Sequence, residues 1–136
     1  MEISEKVYQL KRKILGEEHP DTLISLSNLV VVYISLGDNV KALEAAEKVY
    51  HLQCKVLGEE HPNTIIALNN IATVYSSKND YRNAQELFEK VYLLRSKVLG
   101  EKHPDTLFSL VNLAGAFGNL GNYQKSKDLF ETSSFL

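Results

Sequence analysis

One short stretch recurs at a fixed interval and restricts this chain to a narrow class of folds. Leu15-Gly16-Glu17-Glu18-His19-Pro20-Asp21-Thr22 returns as Leu57-Gly58-Glu59-Glu60-His61-Pro62-Asn63-Thr64, and again as Leu99-Gly100-Glu101-Lys102-His103-Pro104-Asp105-Thr106. Each copy begins 42 residues after the previous one, so the chain is a tandem array whose units bury apolar surface against their neighbours. The stretch stops one helix and starts another. Gly suits a left-handed helix-ending position because it has no Cβ to clash. Pro removes an amide donor and turns the preceding His away from helical angles. The Asp or Asn after it, followed by Thr, offers oxygens for the unpaired amides of a new helix.

Between these corners the apolar residues keep helical spacing. Leu23, Leu26, Leu29, Val30 and Tyr33 recur at three- and four-residue steps, which predicts a helix from about Asp21 to Leu36. Gly37-Asp38 ends it and begins a second, from about Asn39 to Leu57, with Ala42, Ala46, Val49, Gln53 and Val56 on one stripe. Asn79-Asp80 and Gly121-Asn122 punctuate the later units in the same way. Those units are predicted to carry helices at about 63–77 and 81–99, then at 105–120 and 123–133. Glu5-Lys6-Val7-Tyr8 matches Glu47-Lys48-Val49-Tyr50 and Glu89-Lys90-Val91-Tyr92, so the opening segment reads as the second helix of a partial repeat. The expectation is an all-α chain of seven helices forming one array over 1–136. It comprises a leading helix (1–15), repeats at 16–57 and 58–99, and a truncated repeat at 100–136. Gly115, Gly118 and Gly121 weaken the last hairpin.

Charge and composition narrow the function. A net charge of −2 and a pI near 6.1 argue against nucleic acid as a partner, because no Lys/Arg-rich face is available to displace counterions. No apolar run reaches the ~18–20 residues that span a bilayer, so no membrane partner is expected. Cys54 is the single cysteine, which fits a reducing, cytoplasmic setting without disulfides. His19, His61 and His103 invite a metal site. Equivalent residues of stacked helical repeats, however, lie on the order of 10 Å apart, and metal–imidazole bonds are about 2 Å. They are read as structural corner residues. No phosphate loop, nucleophile elbow or metal motif is present. Neither catalysis nor a cofactor is expected.

The internal positions point to one repeat type. In the middle unit they are Leu68, Asn70, Ile71, Ala72, Tyr75, Asp80, Tyr81, Ala84 and Phe88; Leu26, Asn28, Leu29 and Tyr33 match in the first, and Leu110, Asn112, Leu113 and Phe117 in the third. This pattern resembles the tetratricopeptide repeat, and the longer second helix with its LGEEHPDT tail is similar to the 42-residue repeats of kinesin light chains. Val30, Asn39 and Ser126 depart from it, where a small residue, an aromatic and an alanine are usual.

The resemblance implies a right-handed superhelical solenoid whose first helices line a concave wall. It implies binding of another protein through an extended peptide segment on that wall. Asn28, Asn70 and Asn112 fall 42 apart there. Each amide carries a donor and an acceptor, matching the alternating N–H and C=O groups of an extended backbone. Ile24, Ile66 and Phe108 would supply apolar pockets, with Val31, Asn69, Thr73 and Val111 beside them. The predicted first helices contain no Lys or Arg, so an acidic ligand would meet no cation on them. The expected ligand is a neutral or apolar extended peptide. The alternative is self-association, end to end, through apolar surface on the terminal helices.

Overall fold

The computed structural model describes residues 3–135. Among the described residues there are seven α-helices and no strand: α1 (Ile3–Leu15), α2 (Pro20–Ser35), α3 (Asn39–Leu57), α4 (Pro62–Ser77), α5 (Tyr81–Leu99), α6 (Pro104–Asn119) and α7 (Tyr123–Phe135). The first helices begin at the proline rather than after it. Its fixed φ suits the first helical position, where the missing N–H has no intrahelical partner to lose. The last helix runs two residues beyond the expected Ser133.

The corners hold together differently from the sequence expectation. The cap is the histidine ring. His19 Nδ1 accepts from the Asp21 amide at 3.1 Å, His61 Nδ1 from Asn63 at 3.0 Å and His103 Nδ1 from Asp105 at 3.0 Å. The threonines expected to share that task, Thr22, Thr64 and Thr106, are buried. Their hydroxyls meet no partner among the described residues. The glycine is also more extreme than a left-handed helix end. Gly58 sits at φ 87°, ψ 163° and Gly100 at φ 92°, ψ 157°, an extended positive-φ region open essentially to Gly alone.

The tight turns within hairpins follow the expected chemistry. Gly37, Asn79 and Gly121 have φ of 76°, 64° and 84°. Asp38, Asp80 and Asn122 then accept from the amides of Lys41, Asn83 and Lys125 through Oδ1.

The chain divides into two compact units, Met1–Asn70 and Ile71–Leu136, with the division falling inside α4. In the first, α2 packs on both α1 and α3. Leu23, Leu26, Leu29 and Val30 of α2 are buried, as are Ala42, Ala45, Ala46 and Val49 of α3. Val30, at the position where a small residue is usual, is accommodated with only 1% of its surface exposed. Each fully buried Leu or Val contributes about 1.5–3 kcal/mol. In the second unit α5 packs on α6 and α6 on α7, around Ala72, Ala84, Phe88, Leu113 and Ala116, with Tyr75, Leu87, Tyr92, Phe117 and Leu129 about them. Ser126 takes its alanine-like place because Gly118 lies opposite: a Cβ there would stand 3.3 Å from Ser126 Oγ.

Candidate functional site: a pair of joined clefts on the first unit

On α2, Ile24, Asn28 and Val31 stand at i, i+4 and i+7, one turn apart on one face. All three are exposed, Ile24 to 58%. They stay in water because Leu23, Leu26, Leu29 and Val30 occupy the opposite stripe and take the packing. On the part of α4 in this unit, Ile66 is exposed, and Asn69 and Asn70 are half-buried.

Ile24, Asn28 and Ile66 come together in a cleft of ≈ 240 Å³, with Ser27, Val49, Gln53, Asn63 and Ala67. Val31, Asn69 and Asn70 lie outside its lining. Beside it, sharing Ile24, Gln53 and Asn63, is a more apolar slot of ≈ 180 Å³ lined also by Pro20, Leu23, Val56, Leu57, Glu18 and His61. On the other side of Asn28, a cleft of ≈ 220 Å³ is bounded by Ile3, Ser4 and Val7 of α1 and by Ser25. Asn28 therefore borders two clefts at once.

In the second unit Thr73 is exposed on α4. Phe108, Val111 and Asn112 share a face of α6, Phe108 at 59% exposure and Asn112 half-buried.

The sequence alone missed Gln53 and Asn63. Gln53 was read with Val49 as part of the packed stripe of α3, and Asn63 as a capping residue. A polar side chain on an otherwise apolar stripe was the available signal.

A further cleft, ≈ 270 Å³, lies among α1, α2 and α3, and its lining includes Glu5, Tyr8, Arg12, Tyr33, Lys41 and Lys48. Its charges are turned to one another and to rings. Tyr33 donates to Glu5 at 2.9 Å, and Glu17 takes Lys48 at 2.9 Å and Arg12 at 3.5 Å. Lys41 lies over the Tyr33 ring and Lys48 over Tyr8. The hydrogen bond from Lys48 and its charge hold the Glu17 carboxyl below its ordinary value, and the same bond raises Lys48. This cleft reads as a strut between helices.

Among the described residues, no group of three His, Cys, Asp or Glu side chains is placed to hold a metal ion. No helix is long and apolar enough to cross a membrane.

Known proteins place this architecture. Tetratricopeptide repeat models match residues 51–92 and 80–134, and a second such model matches residues 22–63. No curated protein matches the sequence. Among solved structures, two crystal structures of a Podosopora anserina protein assigned as a kinesin light chain, with nearly identical TPR-like repeats, are each 32% identical. They superpose with TM-scores of 0.83 and 0.81, covering 96% of this chain and 62% of theirs. BtubC (BKLC) from P. vanneervenii shares the fold at a TM-score of 0.85 with 18% identity, over 96% of this chain and 52% of that one. This chain thus spans less than two thirds of the length of each. Seven helices in tandem hairpins, the 42-residue period and these matches lead to one assignment: the chain belongs to the tetratricopeptide repeat family, with repeats of the kinesin light chain type.

Proposed function

We propose that this chain is a protein-interaction array that grips an extended, neutral or apolar peptide through the exposed faces of its first helices. Tetratricopeptide repeats generally mediate protein–protein interaction, and the family is generally non-enzymatic. The observation that carries the finer reading is the position of Asn28. It stands exposed next to Ile24, borders two clefts, and presents a donor and an acceptor that an extended backbone can meet. Asn70 and Asn112 repeat the residue at the 42-residue interval, and Ile66 and Phe108 repeat the exposed apolar partner. The first helices contribute no cation, so affinity comes from backbone hydrogen bonds and apolar contact.

The test pans the full chain against a displayed library of random dodecapeptides and measures the enriched peptides by fluorescence anisotropy. Asn28→Ala is expected to weaken them about tenfold with melting unchanged. Affinity kept while the melting temperature falls would make Asn28 a structural residue, and nanomolar selection of Asp/Glu-rich peptides would refute a neutral or apolar ligand.

A second reading, self-association, is favoured by α1. Ile3, Val7, Leu10 and Ile14 form an exposed stripe on it, Ile3 at 76% and Ile14 at 74% exposure, and such a stripe marks an interaction surface. Light scattering over a range of concentrations tests this. A mass that grows with concentration and returns to monomer with Leu10→Lys supports it, and a constant monomer mass excludes it.

A further inference from the structure

We infer that the cleft lined by Asn28, Gln53 and Asn63 is a pocket for one primary-amide side chain, Gln or Asn, of the gripped peptide. This rests on the peptide-gripping reading above and adds which side chain the array selects and which residue selects it.

Three primary amides meet at this cleft from three helices: Asn28 of α2, Gln53 of α3 and Asn63 of α4. Asn63 gives its backbone N–H to His61 Nδ1, and no hydrogen bond ties any of the three side-chain amides to another described residue. Gln53 is half-buried, so its amide has less water to turn to than the exposed Asn28 and Asn63. Its counterpart 42 residues on, Arg95, donates to Ser109 Oγ and to the Asp105 carbonyl. Gln53 is a shorter side chain, and the residue 42 before Ser109 is Ala67, which offers no side-chain oxygen. The donor and acceptor of Gln53 are thereby left for a group from outside the chain.

The rest of the lining selects that group. No charged residue lines the cleft, which combines the buried Val49 and Ala67 with the exposed Ile24 and Ile66. A carboxylate or ammonium group entering it would shed water and meet no opposite charge. A purely apolar side chain would displace the water that serves the amides and leave Gln53 unpaired. A primary amide does neither. Its NH2 donates to one amide oxygen, its C=O accepts from another amide, and its aliphatic stem lies against the apolar residues. At ≈ 240 Å³ the space falls below the ~300–1,000 Å³ of small-molecule sites, which suits a side chain rather than a cofactor. An uncharged anchor also agrees with the neutral or apolar peptide proposed above.

The experiment uses the full chain and the random dodecapeptide library, with affinities read by fluorescence anisotropy. Enriched peptides are expected to share one Gln or Asn. Changing that residue to Leu or to Glu is expected to weaken binding to the wild-type chain about tenfold. Gln53→Leu and Gln53→Ala are each expected to erase the preference for the amide over Leu, since the changes on the two sides remove the same contact. A purely structural Gln53 would leave that preference where it was. A shared apolar or charged residue in place of Gln or Asn overturns the proposal, as does an amide-over-Leu preference that both Gln53 variants retain. If those peptides still lose affinity with Asn28→Ala, the peptide-gripping reading stands. Enrichment of no peptide overturns both.

Discussion

Arg95 Nη1 donates to Ser109 Oγ across 2.7 Å, joining α5 to α6 through a side chain that is only 8% exposed. The same nitrogen reaches the Asp105 carbonyl oxygen at 3.3 Å, and Ser109 itself donates to that carbonyl at 3.0 Å. Burial pulls the guanidinium below its ordinary value and the nearby Asp105 carboxylate opposes the shift. Ser109→Ala removes an acceptor from a buried cation and is expected to cost about 1.5–3 kcal/mol. Arg95→Met removes the charge but keeps much of the volume, and is expected to be neutral or stabilising. Urea unfolding of the two variants checks this. A loss above ~2 kcal/mol in Arg95→Met would show that the charge itself holds the helices.

The order and lengths of the helices were legible because the period and the apolar spacing report directly on burial. Asn39–Leu57 and Tyr81–Leu99 coincide with the expected spans; the three proline-led helices begin one residue earlier than expected, and α2 and α6 also end one residue earlier. Local chemistry with two solutions was less legible. An imidazole and a neighbouring Asp–Thr pair can both cap a helix, and only coordinates show that His61 does so while Thr64 is buried. Arg95 and Gln53 share a place in the period. Their different fates depend on Ser109 against Ala67, a contact between helices that neither helix's own pattern contains. The same gap hid Asn63 and Gln53 from the site assignment.

The corner turn and the hairpin turn make different demands on their glycines. Gly58 at φ 87°, ψ 163° lies where side chains are strained, and a Cβ added there meets nothing within 4 Å. Any cost of Gly58→Asn is therefore torsional, about 1–3 kcal/mol. Gly37 at φ 76° matches Asn79 at φ 64° one period on, so Gly37→Asn is expected to cost only a few tenths of a kcal/mol. Thermal melts of the two variants check the contrast, and equal losses would contradict it. At the same corner, His61→Ala removes the acceptor for the Asn63 amide and is expected to cost about 1 kcal/mol, with His61→Asn restoring most of it.

Stability should respond to pH through a pair on the corner and a phenol on α3. Glu17 is held below its ordinary 4.5, mainly by the hydrogen bond from Lys48. A depressed carboxyl stabilises the fold above its unfolded value and loses that contribution as pH falls through the folded value. Lys48 is raised above 10.5 by the same bond, so its contribution is complete below that value and is lost as pH rises through the folded one. The pair therefore acts over the range between the two, and salt weakens it because both partners are substantially exposed. Burial, with the Cys54 thiol beside it, pushes the Tyr50 phenol from 10.0 up to about 12. The folded chain then keeps that proton longer than the unfolded chain, and stability declines from about pH 10 towards 12. Urea midpoints measured across pH for the wild type, Glu17→Gln and Tyr50→Phe separate these contributions. Glu17→Gln should fall below the wild type near neutrality and converge with it in acid. Tyr50→Phe should lose less stability than the wild type between pH 10 and 12. Parallel curves for all three proteins would mean that neither group couples its titration to folding.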